Sequence, residues 1–213
     1  MDDAGDELAA VCVEEERCFG LIRQGRLADA AWLAIQRADD AEPRRISVAA
    51  RDDLAAWGRL LIWASMAAAR DNRPGEADEM IRLAQIATAG ADRDFTLAYA
   101  PWHRFGPATV AVTRAENAAI CGRPGAVLTI GGELDRQGVG QSYIRHRLDV
   151  AHAHAMLRQY PEAVTVLREL RQSAPEWLAC QRYATDIMRR VVQRRRTLTA
   201  EMREMADFLH LAL

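Results

Sequence analysis

The chain has 213 residues, half of them apolar, with 28 basic against 30 acidic side chains and a formal net charge of −2, enough for one large domain or an array of small units sharing a core. Every basic side chain other than histidine is arginine, which excludes Schiff-base chemistry on a lysine and a lysine-bearing phosphate loop. Charge is uneven along the chain: residues 1–100 hold 12 Arg against 19 acids, a balance of −7, and residues 101–213 hold 16 Arg against 11 acids, a balance of +5.

The N-terminus, MDDAGDELAA, is acidic where a secretory signal needs positive charge, and the longest nearly apolar run, Leu60 to Ala69, is about half the length of a membrane span. The expectation is a cytoplasmic protein without a membrane anchor. Cys12, Cys18, Cys121 and Cys180 show no C-x-x-C spacing, so they read as small buried side chains and not as disulfides or zinc ligands.

From Glu7 to Gly25 apolar residues recur every three to four positions, and Gly25 ends the helix. A second helix over Leu27–Ala41 stops before Pro43 and closes a hairpin. Val48–Asp71 and Pro74–Ala89 form a second pair across DNRPG, with Pro74 at a first helical position. Pro107–Ile120 and Pro124–Leu134 make a third pair across CGRPG, and Ser142–Gln159 with Pro161–Ser173 a fourth. Beyond Pro175 one helix runs to about Arg195 and a last one from Thr199, a candidate N-cap, to Leu211. No segment reads as a strand. Residues 1–213 thus read as a single all-α domain of stacked antiparallel hairpins (7–41, 48–89, 107–134, 142–173) closed by capping helices over 176–211.

Small residues recur at matching places in the second helices: Ala31 and Ala38, Ala77 and Ala84, Ala163 and Leu170, with Val127 in the third pair. The pattern resembles the tetratricopeptide repeat, which implies a right-handed superhelical solenoid whose first helices line a concave surface. Its Trp and Tyr landmarks are missing, and the spacing between repeats is irregular. The longest interruption, Gly90 to Phe105, holds the aromatic and proline cluster YAPWHRFGP.

A narrower resemblance rests on three phrases. FGPATV (Phe105, Gly106, Pro107, Val110), LDVAHAH (Leu148, Asp149, Ala151, Ala153, His154) and APE (Ala174, Pro175, Glu176) are similar to phrases in the tetratricopeptide-like effector region of actinobacterial helix-turn-helix regulators of the xenobiotic-response-element type. Thr109 stands where that family usually has Asn, and Thr113 where it often has His. No recognition-helix pair precedes Glu7, so the expectation is a regulatory module that does not itself bind DNA. RRVVQRRR, Arg189 to Arg196, spreads its charge around the helix, as cations at a helix C-terminus do.

On the helix from Ser142, Arg145, Asp149 and His152 fall within about sixty degrees of one another. If first helices line a groove, its inner face adds Arg59, Met66 and Arg70, then Thr109 and Glu116, with Trp102 and Phe105 as walls. The arginines would suit a carboxylate or phosphate on a peptide, a small metabolite or a partner protein, with a homodimer as a further arrangement. The plainer alternative is an Arg145–Asp149 ion pair on a solvated face. His152 and His154 diverge by about two hundred degrees and cannot share an ion locally, so no metal is expected, and no motif calls for a cofactor. An enzymatic reading would take His103 or His152 as general base and Asp149 as its orienting carboxylate, but no nucleophile accompanies them.

Overall fold

The computed structural model describes the backbone of residues 3–98, 100–101, 103–134 and 140–211, and the side chains of these except 3–7 and 140–143. Among the described residues the fold is all-helical apart from one two-stranded ribbon. The helices are α1 (Asp3–Arg23), α2 (Leu27–Ala41), α3 (Arg51–Arg70), α4 (Pro74–Ala87), α5 (Pro107–Ile120), α6 (Pro124–Glu133), α7 (Gly140–Met156), α8 (Tyr160–Ser173), α9 (Pro175–Ala179), α10 (Arg182–Arg194) and α11 (Ala200–Phe208). A 3-10 turn over Ile46–Val48 leads into α3.

Four hairpins close through one backbone device. Gly25, Asn72, Gly122 and Arg158 each take positive φ, between 57° and 75°. The N–H of the next residue then reaches back to a carbonyl of the preceding helix: Arg26 to Leu21, Arg73 to Ala68, Arg123 to Ala118 and Gln159 to His154, at 2.8–2.9 Å. This is the Schellman arrangement, and it satisfies the helix-end carbonyls without a side chain. The same turn aligns the repeats. Four residues beyond the turn donors Arg26, Arg73, Arg123 and Gln159 stand the buried Ala30, Ala77, Val127 and Ala163, so the equivalent of Ala77 is Ala30, one residue before the Ala31 expected from sequence.

Within each hairpin α1 packs on α2, α3 on α4, α5 on α6 and α7 on α8. Between hairpins, first helices touch in series, α1 on α3, α3 on α5, α5 on α7 and α7 on α10, while α2, α4 and α6 each reach forward to the next first helix. The apolar core divides into several clusters. One gathers Trp57, Leu60, Ile81, Phe105 and Val110; another gathers Leu148, Leu167, Ile187, Met188 and Met205. Where α3 meets α5 the buried Asn117 amide donates to Ser65 Oγ at 3.1 Å.

Four expectations need correction. The long connection contains strands β1 (Phe95–Thr96) and β2 (Arg104–Phe105), antiparallel, with Phe95 opposite Phe105. The helix expected after Pro175 is two, because the chain turns at Cys180 and Gln181 before α10 begins. Cys180 is exposed, not buried. The second pair's first helix begins at Arg51, where Asp52 and Asp53 supply negative charge to its first turn, and not at Val48. The Thr199 cap holds, its Oγ accepting from the Met202 N–H at 3.3 Å.

Candidate functional site

The first helices are linked by a run of polar side chains. At one end Glu15 of α1, only 1% exposed, meets Arg59 of α3: the guanidinium Nε donates to Oε1 at 2.7 Å and Nη2 donates to Oε2. Arg59 also donates from Nη1 to the Arg104 carbonyl at 3.1 Å and from Nη2 to His103 Nδ1 at 2.9 Å. An Nδ1 that accepts from an arginine belongs to a neutral ring. Burial, followed by the adjacent Arg59 charge, lowers the His103 pKa in the same sense. Trp63 Nε1 reaches Glu15 at 3.4 Å, and the half-exposed Phe19 ring stands edge-on to Trp63 with centroids 6.1 Å apart.

Eleven residues further along α3, about three turns and ~16 Å away, Arg70 donates from Nη2 to Glu116 of α5 at 2.6 Å and from Nη1 to the Met66 carbonyl at 3.1 Å. Asp149 of α7 follows. It is 3% exposed, and its Oδ2 meets no hydrogen-bond donor among the described residues. Burial pushes its pKa up to about 7; the Glu116 charge adds to this, and Arg145, Arg70 and the approaching Tyr183 hydroxyl oppose it. Tyr183 of α10 is itself shifted upward, by burial and then by Asp149. The Arg145 guanidinium carbon lies 5.2 Å from the Tyr183 ring centroid, and the His152 ring tilts against the same ring at 5.4 Å. Burial and then the Arg190 charge lower the His152 pKa.

Arg70, Glu116, Arg145, Asp149 and His152, chosen from sequence spacing, thus come together, with Tyr183 as the group the sequence did not indicate. The alternative Arg145–Asp149 ion pair is absent: one residue lies on an aromatic face and the other is buried. Arg59 and His103 belong to the separate Glu15 cluster, so His103 cannot act with Asp149. Met66 is half-buried against the α3 core. Phe105 is a correction: its ring is completely buried, 6.4 Å from Phe95 and against Gly58, so it supports the core and walls no groove. Thr109 is another. Its hydroxyl donates to Asp94 Oδ2 at 2.5 Å, and Asp94 also accepts from the Ala108 and Thr109 N–H groups at 2.8 and 3.0 Å, which caps α5 from within the long connection. Trp102 lies outside the described residues.

Sequence reasoning missed Glu15, Trp63, Phe19, Asp94 and Tyr183. Only Asp94 carried a signal, an acid upstream of a proline-initiated helix; the others depend on which helices meet. A cleft of about 700 Å³ between α1, α2 and α3, lined by Leu8, Val11, Glu14, Arg37, Pro43 and Asp53 among others, contains none of the site residues chosen from sequence. Among the described residues no group of three or more His, Cys, Asp or Glu could hold a metal ion, and no helix is long and apolar enough to cross a membrane. Comparison of the chain with protein families, curated proteins and solved structures finds no match.

Proposed function

We propose that the chain is a non-catalytic sensing or interaction module of the cytoplasm, a tetratricopeptide-like right-handed superhelix whose first helices form a groove for a small metabolite, a peptide or a partner protein. The shared hairpin turn and the serial contacts of α1, α3, α5, α7 and α10 support the repeat reading. The observation that carries the functional reading is the α7 pair: Arg145, exposed and resting on a ring, beside Asp149, buried with an oxygen that meets no donor among the described residues. Groups left unsatisfied at a face built by four helices suit a ligand better than they suit stability. The likeness of FGPATV and LDVAHAH to regulator effector regions supports a regulatory role in which this chain does not itself bind DNA.

A thermal-shift and calorimetric screen of metabolite and peptide libraries tests the reading. A ligand whose stabilisation is lost in Arg145→Ala supports it; libraries with no binder, or binders indifferent to Arg145, count against it. Light scattering of the free chain tests the homodimer arrangement. The burial of Asp149 with an unsatisfied Oδ2, which pushes its pKa up to about 7, would suit acid–base catalysis instead. Turnover abolished by Asp149→Asn or His152→Ala in a folded variant would promote that reading.

A further inference from the structure

The charges around Asp149 point to a ligand class. Arg70 and Glu116 neutralise one another at 2.6 Å, and burial disfavours a charge on His152. Among the charges that act on Asp149 that leaves one cation, Arg145, a helical turn from the acid on α7, while Arg190 acts on His152. Neither Arg145 nor Asp149 has an ionic partner among the described residues. An anionic ligand would satisfy Arg145 but bring negative charge against Asp149 and Glu116. A simple amine would satisfy Asp149 but bring positive charge against Arg145 and Arg70. A ligand with a cationic donor and a carboxylate on one carbon meets both demands without adding net charge.

We infer that this site binds a free α-amino acid, its ammonium group donating to Asp149 and its carboxylate held in bidentate fashion by Arg145. The inference rests on the groove reading above. Asp149 is buried, so a ligand reaches it only if a neighbouring side chain moves, and Arg145 on the Tyr183 ring is the neighbour free to do so. Arg145 is exposed, no carboxylate of the described residues holds it, and stacking on a tyrosine face is weak against a bidentate ion pair. Arg145 is then both cover and anion clamp, while the rest of the site stays fixed: Arg70 holds Glu116, and His152 stays against Tyr183.

The test is calorimetric titration of the full chain at pH 7 with each of the twenty L-amino acids. Every binder is then compared with the amine lacking its carboxylate and the acid lacking its amine. The expected result is at least one amino acid bound ten-fold or more tightly than either analogue. Asp149→Asn and Arg145→Ala should each weaken it at least ten-fold, with Arg145→Lys retaining part of the affinity, and circular dichroism should show each variant folded. An amine or an acid that binds as well as its amino acid overturns the inference, as does affinity unchanged in Asp149→Asn. If no amino acid binds while a peptide or other metabolite still depends on Arg145, the ligand class is wrong and the groove reading survives; if nothing depends on Arg145, both fail.

Discussion

Gly58 of α3 stands against the Phe105 ring so closely that a Cβ there would lie 2.7 Å from Cε2 of Phe105 and 2.8 Å from the Ala87 methyl. The absence of a side chain at Gly58 is what lets the long connection lay its aromatic residue onto the middle of α3. Gly58→Ala should therefore cost about 1–3 kcal/mol in urea denaturation despite alanine's better helix propensity. Phe105→Ala should cost about 3–5 kcal/mol, and the double variant should lose less than the sum. Gly20, also within a helix but with open space around it, is the control: Gly20→Ala should gain up to about 1 kcal/mol.

Asp94 accepts three hydrogen bonds from the start of α5 while only 6% exposed. Asp94→Ala strands the Ala108 and Thr109 N–H groups, and a loss of about 2 kcal/mol or more is expected in chemical denaturation. Thr109→Ala should cost less, because Asp94 keeps both backbone donors.

The contrast between helix ends and the long connection shows what was legible in the sequence. Pro74, Pro107, Pro124 and Thr199 mark helix starts through rules local to a few residues, and all four stand where expected. The Arg145, Asp149 and His152 stripe was visible because periodicity on one helix is local too. Phe105 looked like a groove wall because an aromatic beside prolines fits a rim as well as a core; only its meeting with Gly58, far away in sequence, decides between them. Tyr183 and Glu15 were invisible for the same reason, since neither stands out on its own helix.

Asp149 makes stability depend on pH. Its native pKa, near 7, lies above the ordinary carboxylate value of about 3.9. Between these values the folded chain binds more protons than the unfolded one, so this group's contribution falls as pH rises from about 4 to 7 and stays lost above. Asp149→Asn, which keeps a neutral polar group among Glu116, Arg145, Arg70 and Tyr183, should remove that component. The variant should be more stable than the parent at pH 8 by about 2–4 kcal/mol, and the difference should shrink toward pH 4. Thermal unfolding across that range reads it directly.

Glu15 and Arg59 form a buried pair, with side-chain exposures of 1% and 12%. Removing only the acid, as in Glu15→Ala, leaves a guanidinium without its carboxylate and should cost about 3–5 kcal/mol. Glu15→Leu combined with Arg59→Met should recover most of that loss. Asp29→Ala, which breaks the exposed Arg26–Asp29 pair, should change stability by no more than about 0.5 kcal/mol.

Arg158 holds the left-handed position of the fourth turn at φ 62°, where the first and third turns have glycine. Arg158→Gly should stabilise the chain by roughly 0.5–1 kcal/mol through relief of backbone strain, and Gly122→Ala should lose a similar amount; melting temperatures of the two variants test both signs.

The turns make the hairpins alike, but the polar contacts between first helices make them distinct. Glu15 faces Arg59, Arg70 faces Glu116, and the Glu116 charge acts on Asp149, so each junction has its own arrangement of charge. Purely apolar hairpins of this kind could trade places without penalty. Exchange any two here and the Glu15–Arg59 or the Arg70–Glu116 pair would lose a partner. The stack therefore carries an address at every joint, and a chain rebuilt with its hairpins in another order should fail to fold even though every hairpin in it is native.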